Sequence, residues 1–396
     1  MLITGQEHRN PPIDISVGGL LRPVTFSANG EYLLSNGEEG VRVWRVKDRE
    51  QVATMATGVV WCLAVSKDGR WIAAGTSLGD VFVGNAETYK KVFSHREDFH
   101  NINGVDFSPD STHLVSASDN QAATIWEIET GERVRALHHK YGLRAAKYSP
   151  QGDRIATASS SSIRVWNSND GCLLVDIDQG LTPCYNTGLL WFNSHLLVIS
   201  DSKIKRFGTS TGSAVSEWSV PESDDYSCIV LPKNGEFIAY STQHTVTFWD
   251  TATHAQLGVI QYPQDVRSIA LSADDRAIAT CGIGETITIK PLPRITVSLV
   301  YMNNLLTSIS FYLCLLTHPG FQEPVIEIDK AALNSWKHDD LANAEVSLTI
   351  AISASQNPIH HALANRALVR ARLHKWDAAL ADAKKVLLLE FSTRQR

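Results

Sequence analysis

The sequence predicts an all-β ring of seven similar antiparallel sheets, followed by a small C-terminal α-helical module. Two observations predict the ring: a short apolar strand recurs seven times, and polar turns recur in the same rhythm. Of the 396 residues, 43% are hydrophobic, which suffices for a large core. The formal net charge of −6 disfavours the basic surface with which proteins bind nucleic acids.

When the seven units are aligned with one another, three columns of equivalent residues define the repeat. The last residues of the recurring strands follow one another at intervals of about 41 residues: Trp44, Gly84, Trp126, Trp166, Phe207, Trp249 and Lys290. A second column precedes polar turns such as Asn29-Gly30: Ser27, Ser66, Ser108, Ser149, Trp191, Pro232 and Ser272. A third column is aliphatic: Leu33, Ile72, Leu114, Ile155, Leu197, Ile238 and Ile278. Strand, turn and strand repeated radially predict a seven-bladed β-propeller.

Residues 10–293 resemble the WD-repeat β-propeller family. Phe107-Ser108-Pro109-Asp110 and Trp249-Asp250 are similar to signature pieces of that family. The resemblance implies an N-terminal strand that completes the last blade, and Pro12–Val17 is the candidate. Arg294–Leu299 is the alternative for the same edge, and the sequence leaves both open.

The resemblance also implies polar networks inside some blades, built from His, Ser or Thr, Asp and Trp. His139 stands at the His position, and Asp119 stands at the Asp position of the third unit, where His95 is a candidate partner across a longer loop. Most other units lack the Asp, so we expect the blades to be held mainly by apolar packing. The fifth unit, Cys172 to Phe207, departs most from the pattern.

Residues 294–322 are predicted to be an apolar linker or insertion. Their central part, 297–318, is uncharged and largely apolar. We favour a buried segment that covers the propeller edge. A translated intron is a second interpretation, and a membrane span, for which the length just suffices, is a third.

Residues 323–396 resemble partial tetratricopeptide helical hairpins, because small residues recur at Ala367 and Ala379 in a helical pattern. Such repeats normally need about three copies to bury a core. We therefore expect either that this tail docks on the propeller or, preferably, that the array is cut short at Arg396.

No catalytic residue, metal site or cofactor is predicted. Gly75–Gly79 matches GxSxG, but a nucleophile elbow needs a strand-to-helix turn, and we expect a β-hairpin there. The segment Gly282-Ile283-Gly284 lacks the third glycine of a dinucleotide loop. The histidines and cysteines lack metal-ligand spacing. The cysteines are expected to be reduced core thiols.

Two sets of residues are candidate binding sites. Aromatic residues in several of the loops that enter the innermost strands are expected on one face of the ring, where aromatic side chains serve as interface anchors; the alternative is local packing beneath their own loops. They are Trp61, Phe99, Tyr141, Tyr185 and Tyr226. A groove for an acidic peptide is the second candidate, and a solvated helix face is its commoner alternative. Its residues are Asn365, Arg366, Arg370 and Arg372.

We therefore expect a non-catalytic scaffold that binds proteins or peptides, without nucleic acid and with its oligomeric state open. A propeller-based enzyme, either a hydrolase or a quinoprotein-like oxidoreductase, is the first alternative. A propeller tethered to a membrane through 297–318 is the second. Because no secretory signal is visible, the expected location is the cytoplasm, with the nucleus as the alternative.

Overall fold

The computed structural model describes most of residues 13–292 and three residues beyond them. The described ranges are 13–16, 23–37, 39–159, 161–178, 188–200, 202–222, 228–283 and 286–292, with the single residues Leu363, Arg366 and Asp382. The chain divides into two compact units, Met1–Arg294 and Ile295–Arg396. The predicted linker 294–322 and nearly all of 323–396 lie outside the described residues.

The first unit contains seven four-stranded antiparallel sheets, as predicted. The chain begins with β1 (Ile13–Ser16), which belongs to blade 7. Blade 1 comprises β2 (Val24–Phe26), β3 (Tyr32–Asn36), β4 (Gly40–Arg45) and β5 (Gln51–Ala56); blade 2 comprises β6 (Val60–Val65), β7 (Trp71–Thr76), β8 (Asp80–Asn85) and β9 (Lys91–Arg96). Blade 3 comprises β10 (Ile102–Phe107), β11 (His113–Ser118), β12 (Ala122–Glu127) and β13 (Arg133–His138); blade 4 comprises β14 (Leu143–Tyr148), β15 (Arg154–Ser159), β16 (Ile163–Asn167) and β17 (Leu173–Ile177).

The remaining blades follow the same order. Blade 5 comprises β18 (Leu189–Phe192), β19 (His195–Ser200), β20 (Lys203–Gly208) and β21 (Ala214–Ser219); blade 6 comprises β22 (Ile229–Val230), β23 (Phe237–Ser241), β24 (Thr245–Asp250) and β25 (Gln256–Gln261). Blade 7 comprises β26 (Ser268–Leu271), β27 (Ala277–Cys281) and β28 (Thr286–Pro291), with β1 outermost. The first strand of each blade contacts the first strand of the next, and β26 contacts β2, so the blades form a closed ring around a central channel.

The strand β1 closes the ring. It pairs antiparallel with β28, with Ile15 opposite Ile287, and the buried Ile15 side chain joins the core cluster of Ile287 and Ile289. This pairing confirms the sequence prediction for Pro12–Val17. The alternative, Arg294–Leu299, lies outside the described residues.

The aliphatic column forms much of the core between blades. All seven of its members are buried, and each such side chain contributes about 1.5–3 kcal/mol of burial free energy. In blade 5 the sequence alignment is wrong by one residue. Leu196 pairs with Phe207, as Leu33 pairs with Trp44, so Leu196 rather than Leu197 occupies the column. A shift of one residue turns a side chain to the opposite face, and Leu197 accordingly packs toward blade 6.

Three of the four cysteines in the described part of the chain follow the prediction. Cys62, Cys228 and Cys281 lie in the core, and burial raises the pKa of the Cys62 thiol to about 12. Cys172 is exposed because it lies in the turn before the outermost strand of blade 4, so the prediction of a core thiol is wrong there.

One polar network in blade 4 follows the family pattern. The Thr157 hydroxyl accepts a 2.7 Å hydrogen bond from the Trp166 indole and shares a 2.7 Å hydrogen bond with His139 Nε2. All three side chains are buried. Burial, reinforced by the charge of Arg164, lowers the pKa of His139 to about 4. His139 therefore occupies the network position expected from the sequence.

In the polar network of blade 3, Glu97 occupies the place for which His95 was the candidate. Glu97 accepts hydrogen bonds from the Ser116 hydroxyl and, at 3.0 Å, from the Thr124 hydroxyl, and the Trp126 indole donates to Ser116 at 2.9 Å. His95 instead stacks on Trp126, with 5.5 Å between ring centroids. Burial raises the pKa of Glu97, against the lowering effect of the hydroxyl hydrogen bonds.

The raised pKa predicts a pH-dependent effect of Glu97→Gln. The folded state favours the protonated carboxyl, so the stability contributed by Glu97 falls as the pH rises from its ordinary pKa of 4.5 through the raised value. We expect the variant to have a higher thermal midpoint than the wild type at pH 7.5, with a difference that disappears toward pH 4.5. Thermal unfolding followed by circular dichroism measures the midpoints of the wild type and of Glu97→Gln at each pH. Glu132→Gln, which alters an exposed carboxylate, is the control. A lower midpoint for Glu97→Gln at pH 7.5 would contradict it.

Candidate functional site

The candidate site lies on the face of the ring where the chain enters each innermost strand. We call it the entry face. It carries the connections from each outermost strand to the next blade, such as 97–101 and 139–142, and the turns between second and third strands, such as 77–79. Both kinds of segment lie at the same end because adjacent strands are antiparallel.

Half of the exposed large apolar side chains in the described part of the chain lie on this face. Among the described residues, the exposed large apolar side chains on the entry face are Val59, Leu78, Phe99, Tyr141 and Ile283, and those elsewhere are Val92, Val134, Leu173, Leu174 and Val215. The second group lies on outermost strands. Phe99 is 79% exposed, more than any other of the ten. Val59, Leu78, Phe99 and Tyr141 belong to connections or turns around blades 2–4, and we call these four residues the blade 2–4 patch.

Backbone contacts join the first three patch residues. The Ser77 amide donates to the Val59 carbonyl at 3.1 Å, and the Glu97 amide donates to the Gly79 carbonyl at 2.9 Å. Gly79 has a φ of +84°, and a Cβ there would lie 1.7 Å from the Asp98 carbonyl oxygen. The loop that carries Phe99 therefore rests directly on the turn that carries Leu78, and this close approach requires glycine at position 79.

A second set of contacts extends the patch to Tyr141. The Asp119 amide donates to the Asn101 carbonyl at 3.0 Å, and the Asp119 carboxylate accepts from the Asn101 and Asn103 side chains at 3.2 and 2.7 Å. A Cβ on Gly142, beside Tyr141, would lie 3.0 Å from that carboxylate. Asp119 thus links the two loops that carry the aromatic residues.

Cations border the two exposed rings. The Arg96 guanidinium lies 5.5 Å from the Phe99 ring centroid and forms a bidentate pair with Asp80 at 2.9 Å. The Lys140 ammonium lies 5.3 Å from the Tyr141 ring centroid. Such cation–π contacts orient the rings and contribute about 0.5–1 kcal/mol at exposed sites.

Strand irregularities direct three side chains to the mouth of the channel. Register shifts in β6, β10 and β14 fall at Trp61, Asn103 and Arg144, and all three residues line the channel. A bulge leaves one residue without a partner opposite and redirects its side chain. Trp61 is therefore a channel residue, distinct from the blade 2–4 patch.

The channel is a cavity of about 730 Å³ with a predominantly positive lining. Its charged residues are Lys67, Arg144, Lys147, Lys233, Arg267 and Asp275. Lys147 pairs with Asp106 at 3.0 Å, and Arg267 pairs with Asp265 at 3.2 Å. Cations still outnumber carboxylates when these partners are included, so the channel favours an anionic group.

The structure brings together two of the five predicted aromatic residues. Phe99 and Tyr141 lie on neighbouring loops of the entry face and are both exposed. Trp61 lies at the channel, and Tyr185 and Tyr226 lie outside the described residues. Sequence reasoning missed Val59 and Leu78. Leu78 stands between Ser77 and Gly79 in a hairpin turn. An apolar residue in such a turn is exposed, and this was the sequence signal from which Leu78 could have been predicted as part of the patch.

In the second unit, Leu363, Arg366 and Asp382 have helical backbone. The Arg366 guanidinium binds the Asp382 carboxylate through two hydrogen bonds of 2.7 Å, and both residues are buried. The Arg366 guanidinium therefore pairs with a carboxylate in the interior of the second unit. Asn365, Arg370 and Arg372 lie outside the described residues, and the helical-tail groove stays a prediction.

Ser77 of the GxSxG match lies in the turn between β7 and β8, a hairpin as predicted. Within the described residues, no three His, Cys, Asp or Glu side chains are close enough to hold a metal ion. No helix in the described part of the chain is long and apolar enough to cross a membrane, and 297–318 falls outside that part.

Three segments match the family model for the WD domain, G-beta repeat: residues 49–83, 88–127 and 131–167. Each segment begins near the outermost strand of one blade and ends in the third strand of the next, so the sequence repeat straddles two blades. "WD repeat-containing protein 18" of Danio rerio is 25% identical over 300 residues, 67% of this chain and 68% of that protein.

Other relatives match over shorter regions. "Transcription initiation factor TFIID subunit 5" of Caenorhabditis elegans is 23% identical over 154 residues, 38% of this chain and 24% of that protein. "WD repeat-containing protein 18" of Mus musculus is 28% identical over 178 residues, 39% of this chain and 40% of that protein. For these two relatives the match spans less than half of their length. Together the matches support a WD-repeat β-propeller family, and they do not support the tetratricopeptide-like tail.

Proposed function

We propose that this propeller is a non-catalytic scaffold that binds a protein partner through its entry face. The observation that carries the proposal is the blade 2–4 patch. Four exposed apolar side chains on four connected loops form one surface, whereas the exposed apolar side chains on the described outermost strands are spread over the rim. Contiguous exposed apolar surface in a folded protein commonly marks an interaction site.

The electrostatics define the chemistry of the partner. Phe99 and Tyr141 offer aromatic surface bordered by Arg96 and Lys140, and the neighbouring channel has a positive lining. The complementary partner is a protein segment that combines apolar side chains with carboxylates. Repeat propellers of this kind generally hold other proteins together, which agrees with the patch.

The test is the double variant Phe99→Ser, Tyr141→Ser. Because two exposed anchors are removed, each worth about 2 kcal/mol, we expect affinity for the partner to fall by about 1,000-fold. The matched control is Val92→Ser, Val134→Ser, which replaces two exposed apolar residues on outermost strands and should change affinity by less than about twofold. Proteins that copurify with the wild-type and control chains but not with the patch variant identify the partner.

Binding measurements with the purified partner and the purified chain then test the proposal directly. Calorimetry with the purified partner should show the stated loss, a weakening with rising salt, and a further weakening when the partner's carboxylates are changed to amides. Equal affinity for the patch variant and the rim control would overturn the proposal, as would a partner whose cross-links map to the outermost strands.

A further inference from the structure

The outer part of the groove between blades 5 and 6, away from the entry face, contains a charged side chain. Arg206 occupies a position that is apolar and buried in every other blade. Its counterparts in the third strands are Val43, Val83, Ile125, Val165, Phe248 and Ile289, each at most 4% exposed. A guanidinium at such a position is costly unless something balances its charge.

The described residues do not balance that charge. Arg206 lies 5.0 Å from the Phe192 ring centroid, and one of its terminal nitrogens is 3.2 Å from His195 Nδ1. Its Nε is buried without a hydrogen-bond partner, and no described carboxylate forms an ion pair with it. Burial and the charge of Arg206 lower the pKa of His195, so the imidazole offers a neutral nitrogen and no negative charge.

Two more buried donors share the same sheet face. Ser216 lies directly opposite Arg206 in the register of β20 and β21, and Trp218 follows two residues later, on the same side of its strand. The Ser216 hydroxyl and the Trp218 indole nitrogen are also buried without hydrogen-bond partners. Three unpaired donor groups therefore occupy neighbouring positions on one hairpin, and buried polar groups in native proteins nearly always have partners.

His254 of blade 6 covers this hairpin. Its ring stacks on Trp218 with 4.0 Å between centroids, and its φ of +59° is one that few residues other than glycine adopt. The glycine that precedes each outermost strand in blades 4 and 5 similarly approaches the preceding blade. Arg49 and Tyr89 have similar positive φ values at the same turn of blades 1 and 2, so this backbone conformation belongs to the propeller turn, and the feature particular to blade 6 is the ring that covers Trp218.

We propose that the groove between blades 5 and 6 binds a single oxyanion, a phosphate or carboxylate group, on Arg206, with Ser216 and Trp218 as further donors. Such a group supplies the missing charge and accepts the unpaired hydrogens in charge-assisted bonds. Two sources fit this chemistry: a free phosphate ion, or an acidic side chain of a protein. His254, stacked on Trp218, moves aside to admit the group.

The experiment titrates the full chain with inorganic phosphate and, separately, with acetate at constant ionic strength. The readout is the Trp218 indole resonance in nitrogen–proton spectra, assigned with Trp218→Phe. We expect a saturable shift in the wild type. Arg206→Leu should weaken binding by about tenfold or more, because leucine suits the apolar position but carries no donor. A phosphate affinity well above that for acetate identifies phosphate as the source, and the reverse identifies a carboxylate.

Lys205→Leu is the matched control, because it removes the same charge from the same strand but from the opposite sheet face. It should bind the anions as the wild type does.

Arg206→Leu should also raise the thermal midpoint without ligand by about 2–4 °C, as expected when a binding residue costs stability. If no variant or wild-type chain shows a saturable shift, or if Arg206→Leu and Lys205→Leu bind equally, the proposal is wrong. Ser216→Ala with Trp218→Phe, read out by thermal midpoint with and without the anion, tests the two other donors while Arg206 remains.

Discussion

Deletion of residues 1–17 is expected to remove about 5 kcal/mol from the free energy of unfolding of the propeller. The deletion removes β1, the outermost strand of blade 7, and exposes Ile287 and Ile289 together with the unpaired edge of β28. Domains of ordinary stability have about 5–15 kcal/mol in total, so much of the fold's stability would be lost. Urea denaturation followed by tryptophan fluorescence measures the change.

A deletion of residues 1–11, which leaves β1 intact, is the control for this experiment and should unfold as the full chain does. The point variant Ile15→Asp tests the same contact without shortening the chain, since it places a carboxylate at a position only 3% exposed. If the chain without residues 1–17 unfolds at the wild-type urea concentration, the pairing of β1 with β28 does not stabilise the ring.

The second large effect is a loss of stability in acid that depends on His139. The folded state holds its imidazole neutral down to a pKa of about 4, whereas the unfolded chain takes up the proton near 6.5. Between these values the unfolded state binds more protons, so the stability contributed by His139 is complete above pH 6.5 and is lost as the pH falls toward 4. The expected loss is about 3 kcal/mol.

Urea denaturation at several pH values between 7.5 and 4, compared with His139→Gln, measures this effect. Glutamine retains a group that bonds Thr157 but does not titrate, so the variant should lose less stability in acid than the wild type. His138→Gln alters the adjacent, exposed histidine and should follow the wild-type curve. Identical pH dependence in the wild type and His139→Gln would show that the acid sensitivity arises elsewhere.

The candidate site was predictable only in part. The aromatic residues Phe99 and Tyr141 follow outermost strands, and the repeat alone places such loops at one face. Trp61 lies inside the innermost strand β6 and not in the loop before it, a bulge turns its side chain to the channel, and the sequence carries no signal for that bulge. Glu97 could not be recognised as the network residue of blade 3, because the choice between it and His95 depends on where the strand ends.

The sequence by itself determined the number of blades and the network position of His139, whereas the choice between the two candidate closing strands came from the pairing of β1 with β28. The blade number and that network position follow from local alternation and a constant period, which each unit contains within its own forty or so residues. The tertiary structure alone decided which side chains meet between units. Leu78 lies beside the loop of Phe99, Arg206 lies opposite Ser216, His254 stacks on Trp218, and blade 5 is shifted by one residue. These contacts depend on turn lengths and on closure of the ring, because a single residue more or less in a turn reverses the face that a side chain occupies.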